Sequence, residues 1–69
     1  MRKRIRVNGE AQSVDGGLRI VELVRRLAPG EAEGVAVAVN GVIVTRSRWH
    51  EREVQDGDDI EIVRATQGG

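Results

Sequence analysis

The sequence predicts an α+β fold: a mixed sheet of four to five strands with one helix packed on one face, in the chain order β-β-α-β-β-β. Three observations lead there. Two Asn-Gly pairs, Asn8-Gly9 and Asn40-Gly41, each separate short runs with apolar alternation, and this pair tolerates the two positive φ values that a type I′ hairpin turn demands. Between the hairpins, Ile20, Leu23, Val24 and Leu27 fall at i, i+3, i+4 and i+7, one apolar stripe on a helix. After the second hairpin, Ile60 and Ile62 alternate with Glu61 and Val63, which is the period of a half-buried strand.

The first strand is expected over Lys3 to Val7, where Ile5 and Val7 face inward and Arg4 and Arg6 outward, and the return strand over Glu10 to Val14. Asp15-Gly16-Gly17 breaks the chain. The helix is then expected over Leu18 to Leu27. Its start has no capping side chain at Gly17 or Leu18, and its end is marked by Ala28-Pro29-Gly30, since proline lacks a donor and glycine frees the backbone. After a charged spacer from Glu31 to Gly34, Val35 to Val39 alternates valine with alanine, suiting a central strand buried on one face and closely approached on the other. A short strand from Val42 to Thr45 pairs back onto it. Arg46 to Arg52 reads as irregular and holds Trp49, the only aromatic residue, placed as a plug at the end of the core. Asp56-Gly57-Asp58 makes a tight turn into the last strand, Ile60 to Arg64. Chain order alone does not fix strand order, but two hairpins split around one helix and closed by a long final strand are how a β-grasp sheet is built, which would place the first and last strands side by side at its centre.

Composition narrows what such a domain can do. Its 69 residues form one domain, and a chain of this size buries only roughly 60% of its unfolded surface, which leaves one small core and no deep cleft. Eleven Lys+Arg balance eleven Asp+Glu, so no global field draws the protein to nucleic acid or anionic lipid. The charges are uneven along the chain. Arg2, Lys3, Arg4 and Arg6 crowd the start, whereas Glu51, Glu53, Asp56, Asp58, Asp59 and Glu61 make the distal part acidic, either as solvated strand faces or as a docking surface for a basic partner. Without cysteine there is neither a disulfide framework nor a thiolate metal site. No apolar leader and no run of ~20 apolar residues is present, so a soluble cytoplasmic protein is expected, with no membrane partner.

Catalytic constellations are missing. The single histidine, His50, lies in a charged loop and is expected to be solvated, and no nucleophile stands in a triad with it. Asp56, Asp58 and Asp59 lack the remaining ligands of a calcium loop. Gly16-Gly17 is too short for a phosphate loop and has no lysine.

The last five residues carry the functional signal. Beyond Arg64 the alternation ends, so residues 1–64 are expected to form the domain and Ala65, Thr66, Gln67, Gly68 and Gly69 a flexible tail. Extended, it spans at most roughly 17 Å at ~3.3–3.6 Å per residue, enough to enter another protein's active site. Two terminal glycines fit a narrow tunnel and leave the terminal carboxylate open to attack from either side.

Together with that terminus, Val39-Asn40-Gly41, Val44, Arg46, Trp49, Val54, Asp56-Gly57-Asp58 and Ile60 resemble the ThiS type of thiamine-biosynthesis sulfur carrier, and so does the helix stripe. The resemblance spans nearly the whole chain. It departs from the family at the arginine-rich first strand and at the hydroxyl-free helix start. It implies that a ThiF-like adenylyltransferase uses ATP and magnesium to adenylate the Gly69 carboxylate, that sulfur from a cysteine desulfurase relay displaces AMP to give a thiocarboxylate, and that a ThiG-like thiazole synthase receives the sulfur. The carrier would bind no cofactor, supply no catalytic group and be a monomer when free. Docking would use the sheet face away from the helix, with Val63, Glu61, Ala36 and Ala38 as the candidates. Neighbouring readings are the small subunit of molybdopterin synthase and a ubiquitin-like modifier of lysines. A small RNA-binding module shares the Asn-Gly and Gly-Asp pattern, but it requires a helix pair and a basic face that this chain lacks.

Overall fold

The computed structural model describes residues 1–30 and 32–64. Strands β1 (Arg2–Val7), β2 (Glu10–Asp15), β3 (Val35–Val39), β4 (Val42–Val44) and β5 (Asp59–Arg64) form one sheet in the order β2-β1-β5-β3-β4, with helix α1 (Ile20–Leu27) between the two hairpins. First and last strands lie side by side at the centre and run parallel, while every other neighbouring pair is antiparallel. Both hairpins turn at Asn-Gly with φ of 52° and 85° at Asn8 and Gly9, and 53° and 82° at Asn40 and Gly41. These left-handed values are what the tight turn requires and what few other residue pairs accept.

The core lies between one sheet face and α1. Ile5, Val7, Val14, Val37, Val39 and Ile60 point from the sheet to meet Leu18, Ile20, Leu23 and Val24, with Trp49 and Val54 closing the end. Trp49 is 2% exposed, and its indole Nε1 donates to the Val44 carbonyl at 2.8 Å. The plug predicted for this residue therefore also caps the short edge strand, whose last carbonyl it occupies.

Three expectations need correcting. The helix begins at Ile20 rather than Leu18, because Leu18 is held in an extended segment: its carbonyl accepts from Val54 N, and Arg19 forms a bridge with Glu53. The first-turn donors, which no helix can satisfy internally, go to that same segment. Ile20 N donates to the Arg52 carbonyl and Val21 N to the Trp49 carbonyl. Glu22 reaches back to accept from Arg19 N at 2.9 Å, half of a capping box whose other half an arginine cannot supply. Second, Leu27, the last member of the apolar stripe, is exposed, since α1 ends there after eight residues. Third, the charged spacer and the stretch read as irregular each contain a single 3₁₀ turn, Ala32–Gly34 and Arg46–Arg48. Among the described residues no helix is long and apolar enough to cross a membrane.

Candidate functional site

The central strand β5 leads directly to the C-terminus, so whatever fixes β5 fixes the point from which the terminal residues depart. Its seam with β1 is extended at both ends by side chains. At the start, Asp56 Oδ1 accepts from Arg4 N at 2.7 Å and Gly57 N donates to the Arg4 carbonyl, also at 2.7 Å. In the middle, Arg6 N donates to Asp58 O and Asn8 N to Ile60 O. At the far end β1 stops, and the Asn8 amide takes its place: Oδ1 accepts from Ile62 N at 2.8 Å and Nδ2 donates to Ile62 O at 3.2 Å. A primary amide has the donor and acceptor of a peptide group, so Asn8 carries the parallel ladder one step beyond the strand.

Asn40 does the equivalent on the other side of β5. Its Oδ1 accepts from Asp59 N at 2.9 Å, and its Nδ2 donates to Asp58 Oδ1 at 3.0 Å. Asp58 is the one buried charged residue of the described chain, 5% exposed. Its other oxygen accepts from Gln55 N at 2.8 Å and from Arg52 Nη2 at 3.1 Å. Both asparagines read in the sequence as turn formers thus also anchor the exit strand, and the Asp-Gly-Asp turn holds a buried acceptor at its root.

The four docking candidates come together. Ala36 is directly opposite Val63, and Ala38 opposite Glu61, all on the face away from α1. Val63 is 58% exposed, Glu61 and Ala36 are exposed and Ala38 is half-buried. Sequence reasoning missed Ile43, which stands across from Ala38 on β4 and is 65% exposed. The signal was available, because a two-residue turn at Asn40-Gly41 forces the pairs Val39 with Val42 and Ala38 with Ile43. Val63, Ala36, Ala38 and Ile43 make a contiguous apolar strip beside the root of the terminus. Ala65, Thr66, Gln67, Gly68 and Gly69 lie outside the described residues.

Residues considered for chemistry elsewhere stay apart. His50 is exposed, 3.8 Å from Glu51. Asp56 and Asp58 spend their carboxylates on Arg4 N and on the buried network, and Asp59 faces outward. Among the described residues no three His, Cys, Asp or Glu side chains converge as metal ligands. The geometry offers an exit strand hydrogen-bonded on both sides and a sheet face that no element covers among the described residues.

A mixed sheet in this order, with one helix across it and a central strand running toward a Gly-Gly terminus, defines a β-grasp protein of the ubiquitin-like class. Residues 5–69 match the ThiS family. The chain is 36% identical over 66 residues to the sulfur carrier protein ThiS of Escherichia coli, a match covering 96% of this chain and 98% of that one. Among solved structures it is similar to the crystal structure of the thiamine biosynthesis protein ThiS from Geobacter metallireducens, with a TM-score of 0.79, 35% identity and coverage of 96% and 99% of the two chains. A solution structure of a thiamine biosynthesis protein from that organism matches with a TM-score of 0.75 and 35% identity, over 96% of this chain and 87% of the other. The chain belongs to the ThiS family.

Proposed function

We propose that this chain carries sulfur for thiamine biosynthesis on the carboxyl group of Gly69. The observation that carries the reading is family membership across residues 5–69, which takes in the terminal Gly68-Gly69. It is a sulfur carrier and not a catalyst, and a carrier works through partner enzymes. A carboxylate is a poor acyl donor, so the Gly69 carboxylate must first be activated. In a ThiF-like adenylyltransferase using ATP and magnesium, a Gly69 oxygen bonds to the α-phosphorus and pyrophosphate leaves. The terminal sulfur of a persulfide on a cysteine desulfurase relay then forms a bond to the acyl carbon while AMP departs, and a thiol reductant cleaves the S–S bond of the acyl disulfide so formed, leaving the sulfur on Gly69. The resulting thiocarboxylate hands its sulfur to a ThiG-like thiazole synthase.

Ala65, Thr66, Gln67 and Gly68 are the residues that would thread the partner's active site; none of them is charged, and Gly68 has no side chain, which suits a narrow path next to Gly69. The domain itself would dock through the strip of Val63, Ala36, Ala38 and Ile43, with Glu61 in its midst. A single exposed valine is ordinary on a monomer, whereas four adjoining apolar residues beside an exit strand favour a protein contact. The test is exchange of labelled pyrophosphate into ATP by the adenylating partner. Exchange that depends on this chain, and that is abolished by deleting Gly69 or adding one residue after it, is the expected result. Equal exchange with the truncated chain would overturn the reading.

A further inference from the structure

The open face has a second half that the carrier reading does not use. On β1, Arg4 and Arg6 project from the same side of the sheet as Val63 and Ala36, because Ile5 and Val7 take the core side. Two residues apart on one strand, they stand about 7 Å from each other. Arg2, next along, is engaged by Asp15 at 2.7 Å and by Ser13. Among the described residues the guanidinium groups of Arg4 and Arg6 make no hydrogen bond or ion pair, although Asp59 is the cross-strand neighbour of Arg6. Their partners across β2 are small: Ser13 opposite Arg4 and Ala11 opposite Arg6. A depression of about 540 Å³ results, lined among others by Arg4, Arg6, Ala11, Ser13 and Gly57, with Asp58 at its edge spending both carboxylate oxygens on internal hydrogen bonds.

The face is therefore polarised. Cationic groups over a shallow floor occupy the β2-β1 side, the carboxylates of Asp59 and Glu61 lie on β5, and the apolar strip covers the β5-β3-β4 side. A chain of zero net charge presents no net monopole to a distant partner, so the uneven pattern of charge on this face decides how a partner lands.

We propose that Arg4 and Arg6 form a recognition strip for acidic side chains on the adenylating partner, which enter the depression while the apolar strip seats Val63 and Ile43. This rests on the carrier reading above and adds to it the chemistry of the partner's surface. Two arginines with no partner among the described residues suit bidentate pairing with carboxylates, and the strand's fixed spacing sets the register of docking. The strip acts in encounter and orientation, whereas the apolar contact sets residence time.

The experiment measures carrier-dependent exchange of labelled pyrophosphate into ATP by the cognate adenylating enzyme against concentration of the intact carrier, at ~0.05 M and ~0.5 M salt, where screening lengths fall from roughly 14 Å to about 4 Å. For Arg4→Glu/Arg6→Glu the KM for the carrier rises at least about tenfold at low salt with kcat unchanged, and the gap narrows to under about threefold at high salt. Arg4→Lys/Arg6→Lys recovers the salt-dependent part of the loss, since the charge returns, but not the part that bidentate pairing supplies. Circular dichroism checks the fold, and Arg4→Gln/Arg6→Gln replaces the charge-reversed pair if that pair does not fold. A KM that does not move, or that moves equally at both salts, overturns the strip. So does arginine-dependent binding of RNA with no change in KM, which would assign the face to nucleic acid. In the cases of unchanged KM the wild-type chain is still adenylated, so the carrier reading survives; failure of wild-type adenylation is the separate result that removes both.

Discussion

Replacing Asp58 by alanine is expected to cost about 3 kcal/mol of stability. The carboxylate is almost fully buried and accepts from three donors, Gln55 N, Asn40 Nδ2 and Arg52 Nη2. The Arg52 side chain is 31% exposed and re-solvates when its partner is lost, so that arm contributes at most about 1 kcal/mol. The other two donors lie in part-buried surroundings, and each loses an ionised acceptor at roughly 1–2 kcal/mol. A domain of this length has roughly 3–10 kcal/mol in total, and its Tm moves by about 4–8 °C per kcal/mol. A fall of about 12–24 °C follows. Urea unfolding is the assay, read through Trp49, the one tryptophan of the chain and a buried one. The midpoint should fall with m unchanged. Arg52→Ala should lose less than about 1 kcal/mol. A loss below about 1 kcal/mol for Asp58→Ala, or equal losses for the two variants, would show that the buried acceptor is not what holds the turn.

Three further outcomes follow from the same geometry. Asn8→Gly keeps the positive φ of the hairpin but removes both bonds to Ile62, so it should cost about 1–2 kcal/mol and speed amide hydrogen exchange at Ile62 more than at Val37; unchanged exchange at Ile62 would refute the ladder extension. Trp49→Phe leaves the Val44 carbonyl unpaired and a space at the end of the core, with a loss of about 1–3 kcal/mol in thermal unfolding. Val63→Asp should leave stability within about 0.5 kcal/mol, because the side chain is exposed, yet weaken binding to the adenylating partner by about tenfold or more in a titration, since it puts an unpaired charge into an apolar contact.

Much of this architecture was legible in the residues. Period-two alternation located β1, β3 and β5, the Asn-Gly pairs fixed two hairpin registers, and the i, i+3, i+4 stripe located α1. What escaped was nonlocal. Leu18 and Arg19 look like a helix start because nothing nearby says otherwise; it is the segment from Trp49 to Val54, thirty residues on, that holds Leu18 extended and supplies carbonyls to the first turn. Leu27 fits the stripe by spacing, but the helix ends before the sheet can cover it. Asn8, Asn40 and Asp58 each serve a local turn so well that the bonds of Asn8 to Ile62 and of Asn40 to Asp58 and Asp59 leave no separate mark in composition. Val63, Glu61, Ala36 and Ala38 followed from alternation alone, while Ile43 required the hairpin register to be carried across the turn.

The central claim is that Gly69 bears the sulfur. The most direct measurement is the intact mass of the chain, with fragmentation to locate the change, after incubation with the adenylating partner, ATP, magnesium and a cysteine desulfurase relay. One oxygen replaced by sulfur at the carboxyl of Gly69, and lost again on incubation with the thiazole synthase, is the predicted result. An unchanged mass at Gly69, or sulfur found on any other residue, would contradict it.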